Sequence, residues 1–240
     1  MKILKKCFQL VVIFIISGNL NAQSPVEKHG ALHFEKTLLK DQHNKNVQLK
    51  GMSLFWSQWQ PQFYNKKTVK QLKEHWGINV IRAAMAVEHE GYLENPKKEK
   101  AKIYKVIDAA IDLGIYVIVD WHDHHAEDHE KESLAFFTEL SSKYGKYPNI
   151  IYETYNEPLE VSWEKVLKPY HSKIISAIRK NDPDNLIICG TPKWSQNVLE
   201  AANDPLIGEN IGYTLHFYAG THQKQLRDLA LQAIKKGLPI

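Results

Sequence analysis

Two carboxylates stand four residues apart in the stretch NIIYETYNEP, at Glu153 and Glu157. The stretch begins as an apolar β-strand and ends in Asn-Glu-Pro. Pro158 cannot extend a strand ladder, so the chain must turn there and leave Glu157 at a strand end. A carboxyl group held in a cleft with a raised pKa can donate a proton to a leaving oxygen. Glu157 is therefore the candidate acid/base, and Asn156 beside it can orient the carboxyl or bond a hydroxyl. Glu153 shares a strand face with Tyr155 and Glu157. It is read as inward and structural.

Other chemistry-bearing residues sit at the ends of other apolar runs. Arg82 closes NVIRAAM, where a buried guanidinium would clamp a carboxylate and keep it ionised. DWHDHHAEDHE holds His122, His124, His125 and His129. Their spacing matches no zinc signature, so no metal is assigned, and His122, nearest the strand, is placed in the site. His216 and Tyr218 in YTLHFY are two apart and so share a face. His216 is expected to bond substrate and Tyr218 to position a carboxylate. Trp56, Trp59, Trp163 and Trp194 fall in or beside loops, where an indole suits stacking on the apolar face of a sugar ring. Trp59 and Trp194 are the leading candidates.

The elements that position these residues alternate along the chain. Apolar strands rich in Ile and Val are separated by amphipathic helices, at about 30 to 45 residues per unit, the pattern of βα units on a parallel sheet. Gly114 is expected to stop the helix EKAKIYKVIDAAIDLG, and Pro169 to kink or break the helix that Ser162 caps. Two short runs flanking DQHNKN read as a hairpin. Polar and aromatic residues recur at the C-terminal end of nearly every strand, as a closed barrel requires. No glycine-rich phosphate loop is present, which argues against a doubly wound sheet. The expected fold is thus an α/β barrel of the (β/α)8 TIM type, one domain over residues 30–240.

The 240 residues are 43% hydrophobic and carry a formal charge of +4. Lys2, Lys5 and Lys6 supply most of that excess, so there is no electrostatic footprint for nucleic acid. A basic start, an apolar run over 8–16 and small residues to Ala22 read as a signal peptide over 1–22. The mature protein is expected to be secreted or periplasmic, without stable membrane insertion. Cys7 would leave with that segment, and Cys189 alone forms no internal disulfide and reads as a buried strand residue.

VQLKGMS, NVIRAAM, VIVDWHDH, IIYETYNEP, TPKWSQNV and YTLHFYAGTH together, in this order, resemble glycoside hydrolase family 5, and most of all its bacterial endo-β-1,4-glucanases. The resemblance covers about residues 30 to 240. It implies a (β/α)8 barrel that hydrolyses β-1,4-glucan with retention and without a cofactor, acting as a monomer. Glu157 would be the acid/base and Asn156 would hold the sugar 2-hydroxyl. Arg82, His122, His216 and Tyr218 would form the polar shell, and Trp59 and Trp194 would line the glucan cleft. Two positions depart from the pattern, Phe55 where relatives often carry histidine and Ala86 where many carry tyrosine. A β-mannanase or xyloglucanase of the same barrel, or a non-catalytic carbohydrate-binding barrel, remain alternatives. Retention needs two carboxyl groups roughly 5–5.5 Å apart. The family's nucleophile ends the seventh strand, whereas KKGLPI reads as the start of that strand and Leu238 as its first residue. The chain is accordingly expected to be a C-terminally truncated fragment, weakly active or inactive and poorly stable, with the nucleophile beyond Ile240.

Overall fold

Six apolar segments of the sequence become six parallel strands. In a computed structural model, which describes residues 23–240, they are β3 (Gly51–Ser53), β4 (Val80–Ala86), β5 (Tyr116–His122), β6 (Ile150–Glu153), β7 (Ile187–Cys189) and β8 (Ile211–Tyr213). They lie side by side in sequence order, β3-β4-β5-β6-β7-β8, each parallel to the next. A doubly wound sheet would reverse this order at a switch point, whereas a barrel never does. The structure is thus the larger part of a TIM barrel. The signal-peptide reading concerns residues 1–22, which lie outside the described residues. Among the described residues no helix is long and apolar enough to cross a membrane.

The strand pleat sorts each strand into two faces. Ile81, Ala83 and Met85 of β4, with Val117, Val119 and Trp121 of β5, face the helices and join the main core. That core is sealed by the amphipathic helices α2 (Lys66–Trp76), α3 (Pro96–Leu113), α4 (Glu130–Tyr144) and α5 (Lys168–Arg179). The alternate residues face the barrel axis. Register pairs Val80 with Tyr116, Arg82 with Ile118, Ala84 with Asp120 and Ala86 with His122. The axis is therefore apolar at the N-terminal end, where Val80, Tyr116, Ile151 and Leu186 meet. It becomes charged toward the C-terminal end.

A hairpin of β1 (Leu32–Glu35) and β2 (Leu38–Asp41) plugs the apolar end. Leu32 and Phe34 pack into the axial cluster, and the Phe34 N–H donates to Asn210 Oδ1 at 3.1 Å. A Cβ on Gly212 would lie 2.7 Å from the Phe34 ring, so only glycine lets β8 pass under the plug. The hairpin lies one arm earlier than the sequence predicts. The DQHNKN segment is a turn because Asp41 Oδ1 accepts from the backbone N–H groups of His43 and Lys45, each at 2.9 Å. The predicted pairing across it reduces to one bridge, Lys40 with Asn46.

Three predicted helix signals hold. Gly114 ends α3 in the left-handed conformation at φ 65°. Ser162 Oγ accepts from Lys165 N–H at 3.2 Å. Pro169 sits in the first turn of α5, just after a π-helical turn over Trp163–Leu167. The strand predicted through IGYTLHFY stops at Tyr213. Beyond α8 (Lys224–Lys235), Leu238 is buried and the carbonyl of Pro239 accepts from Tyr213 N–H at 3.0 Å. The segment at Leu238 therefore runs along the edge of β8, where a further strand was expected. Cys189 is buried, and burial pushes its thiol up to about 12.

Candidate active site

The C-terminal mouth of the barrel holds a layered charge network. Arg82 faces the axis because it alternates with Ile81 and Ala83. Its Nε and Nη2 donate to the two carboxylate oxygens of Glu153, at 2.6 and 3.0 Å. Nη2 also lies 2.9 Å from Asn156 Oδ1 and 2.8 Å from Asp120 Oδ2, and Nη1 donates to Ser53 Oγ at 3.2 Å. The predicted clamp therefore exists, and the carboxylate it grips is Glu153. Glu153 is 1% exposed, so its reading as inward and structural agrees with its position. Burial pushes the carboxyls of Asp120 and Glu153 up, and Arg82 opposes that. Burial pulls Arg82 down, but the two carboxylates outweigh it and hold the guanidinium more firmly protonated than usual.

Asp120 escaped the sequence reading, although it lies two residues before His122 and so shares its face of β5. Its Oδ2 accepts from His122 Nδ1 at 2.6 Å. Burial, together with the Arg82 charge, lowers the His122 pKa to about 3. The ring is neutral at physiological pH, and the Nδ1–H bond to Asp120 leaves the Nε2 lone pair free to accept. Asp120 Oδ1 is buried and has no hydrogen-bond partner among the described residues.

Glu157 stands above this layer. Its backbone N–H donates to Asp123 O at 3.3 Å, and its carbonyl is 3.0 Å from His124 Nδ1. The carboxylate Oε1 is 2.8 Å from His216 Nδ1, while His216 Nε2 lies 3.8 Å from Glu153 Oε1. The raised pKa anticipated for Glu157 is not found in these surroundings. Burial pushes it up, but the His216 hydrogen bond and the nearby His216 and His124 charges pull it below the ordinary value of 4.5.

Two cavities, of about 500 and 440 Å³, meet at Glu157, His216 and Tyr218. The first is lined further by Phe55, Trp56, Arg82, His122 and Asn156, and the second by His124, Trp194 and Gln196. Seven of the eight residues singled out as site candidates, Trp194 among them, thus meet in a two-lobed cleft. Trp59 is the exception. It is half-exposed and stacks on Trp56 with ring centroids 4.9 Å apart, so Trp56 forms the cavity wall and Trp59 backs it. Trp56 also meets the His122 ring edge-on at 4.4 Å. Tyr218 lines both lobes but is 75% exposed, and its hydroxyl makes no hydrogen bond among the described residues. The strand that would have turned it inward ends at Tyr213, so its predicted contact with a carboxylate is not made.

The histidine-rich loop disperses onto separate partners. His122 takes Asp120, His124 the Glu157 carbonyl, His125 lies 3.3 Å from Glu88, and His129 lies 2.8 Å from Asp123. Glu88, Asp123 and His129 are the one group among the described residues whose ligand atoms converge within 4.8 Å. Asp123 already accepts from the backbone N–H groups of His124 and His125 and from Trp121 Nε1.

A parallel barrel with carboxylates, histidines and indoles around its C-terminal mouth defines an α/β barrel protein whose candidate site lies at that mouth. The chain belongs to glycosyl hydrolase family 5: the model of that family, described as Cellulase, matches residues 40–240. Endoglucanase Z of Dickeya dadantii is 53% identical over 194 residues, which cover 79% of this chain and 46% of that protein. Endoglucanase A of Evansella cellulosilytica is 45% identical over 239 residues, 97% of this chain and 49% of that protein. The chain thus spans about half the length of the curated relatives it matches. A solved structure from Cytophaga hutchinsonii superimposes with a TM-score of 0.90 at 50% identity, covering 90% of this chain and 71% of that one. The catalytic domain of Thermobifida fusca endoglucanase Cel5A, solved in complex with cellotetraose, gives 0.86 at 32% identity, over 90% and 74% of the two chains.

Proposed function

We propose that this chain carries the acid/base of an endo-β-1,4-glucanase that acts as a monomer on β-glucan with retention of configuration. The observation that carries the reading is the position of Glu157. Among the described residues it is the one carboxylate lining the cleft, and it sits where the two lobes meet. A glucan laid along the cleft would have sugar rings in both lobes and a glycosidic oxygen beside Glu157, which is the geometry of internal cleavage. Glu157 donates its proton to that oxygen as the bond breaks, and later takes a proton from the attacking water.

Retention requires a second carboxylate as nucleophile roughly 5–5.5 Å away. Glu153 does not serve, because its oxygens are occupied by Arg82 and it is buried. We assign the nucleophile to a strand pairing with β8, along the edge that Leu238 and Pro239 approach. A second carboxylate there would also raise the Glu157 pKa by like-charge repulsion, which suits an acid. His216 hydrogen-bonds Glu157 and spans toward Glu153. Asn156, held by Arg82 through Oδ1, keeps its amide N–H groups for a sugar hydroxyl. No step needs a metal or organic cofactor.

The test is Glu157→Gln in an active enzyme that contains this chain. Turnover of carboxymethyl-cellulose should fall by about 10²–10⁴-fold. The loss should be smaller on an aryl cellobioside whose leaving group needs no protonation. Near-wild-type turnover of the polymer would exclude Glu157 as the acid. Preferential cleavage of mannan by the unaltered enzyme would move the substrate to the β-mannanase alternative.

A further inference from the structure

Replacing a buried ion pair by apolar residues is often neutral or stabilising, so such a pair needs a reason other than stability. Glu99 and Lys102, in the first two turns of α3, are 0% and 8% exposed. Neither lines the cleft, and no catalytic step above uses them. Lys102 Nζ donates to Glu99 Oε1 at 2.5 Å and to the Ser57 carbonyl at 2.9 Å. Ser57 Oγ donates to Glu99 Oε2 at 2.5 Å and accepts from Ala86 N–H, at the end of β4, at 3.0 Å. The pair thus holds both polar ends of one fully buried serine.

Ser57 immediately follows Trp56, the indole that walls the first lobe and contacts His122. The segment from Leu54 to Gln60 contains no helix or strand, so no backbone ladder fixes the plane of that indole. Trp59, stacked behind it, is 51% exposed and brings little burial of its own. Leu54 N–H donates to Arg82 O at 2.9 Å, the Tyr64 hydroxyl lies 2.6 Å from Phe55 O, and Gln58 Nε2 donates to His89 O at 3.3 Å, while the bonds to Ser57 tie the residue directly after Trp56 to α3 and to the end of β4.

We propose that Glu99 and Lys102 are positioning residues for the aromatic wall: through Ser57 they fix the Trp56 plane on which a sugar ring stacks. The inference rests on the glucan reading of the cleft. The test reads binding, in the 240-residue chain itself. Cellotetraose is titrated by tryptophan fluorescence against the unaltered chain, the double variant Glu99→Met with Lys102→Met, and Ser57→Ala. Melting temperature and near-ultraviolet circular dichroism are recorded for each. The double variant should bind about five- to tenfold more weakly, with a reduced indole dichroism signal, and its melting temperature shows whether it stays folded with Ser57 left without these two partners. Ser57→Ala should shift binding and dichroism in the same direction, and it decides alone if the double variant does not fold. Folded variants with wild-type affinity and unchanged dichroism overturn the proposal. If the unaltered chain does not bind cellotetraose, the glucan reading fails, and the dichroism still decides whether the pair orders the indole.

Discussion

His216 and Asp120 show how the surroundings, more than residue type, set the chemistry of this mouth. Glu157 has a folded pKa below 4.5, so it adds stability above its unfolded pKa, and that contribution is lost as pH falls through the folded value. His216→Ala removes the main cause of the depression. The expected outcome is a flatter decline of melting temperature below pH 4.5 and a Glu157 carboxyl titration, followed by ¹³C NMR, shifted upward. Asp120→Asn tests the other histidine. Its amide can donate to His122 Nδ1 and release the opposite tautomer, visible in the imidazole ¹⁵N shifts. Arg82 keeps Glu153, so the loss of stability should stay near ~1–3 kcal/mol in urea denaturation. At this scale the sequence was a good guide to residues at strand ends, because pleat and chain direction alone put them at the mouth. Asp120 was missed for want of applying the same two-residue spacing backward from His122. Tyr218 was misplaced because the spacing argument was carried past the end of its strand.

Among the elements, the strands and long helices were legible because each is several residues of unbroken pattern. The TPKWSQ segment was not. It forms a short helical turn, Pro192–Ser195, followed by α7 (Val198–Asn203), with Lys193, Trp194 and Ser195 all left-handed at φ 59°, 56° and 55°. No residue type in the triplet favours that conformation, so local propensity predicts an ordinary loop. Tertiary bonds hold it. Lys193 and Trp194 N–H donate to the carbonyls of Leu159 and Pro158 at 3.0 and 2.8 Å, and Ser195 Oγ donates to the Asn156 carbonyl at 2.8 Å. The segment is thereby bolted to the Asn-Glu-Pro turn, and Trp194 is presented to the second lobe. Ser195→Ala leaves that buried carbonyl short of a donor. It should cost about 1–3 kcal/mol in chemical denaturation and weaken cellotetraose binding through Trp194.

For the whole molecule, six parallel strands in sequence order and a charged C-terminal mouth were expected and are present. The plug was not anticipated, because its decisive contacts join residues almost the length of the chain apart. Phe34 under Gly212 is one such contact. Gly212→Ala should overpack the site and destabilise by about 1–3 kcal/mol, and Phe34→Leu in the same chain should recover part of that loss. A thermal or urea melt of the two single variants and the double variant measures the coupling. Additive losses would show that the two residues do not press on one another.

That contact also has a consequence in time. The hairpin leaves the ribosome well before Asn210 and Gly212, which receive it from far along the chain. At about 5–20 residues per second the plug waits on the order of tens of seconds for its seat. Throughout that interval Leu32 and Phe34 lack the β8 side of their seat, so the hairpin stays apolar and uncovered until β8 arrives.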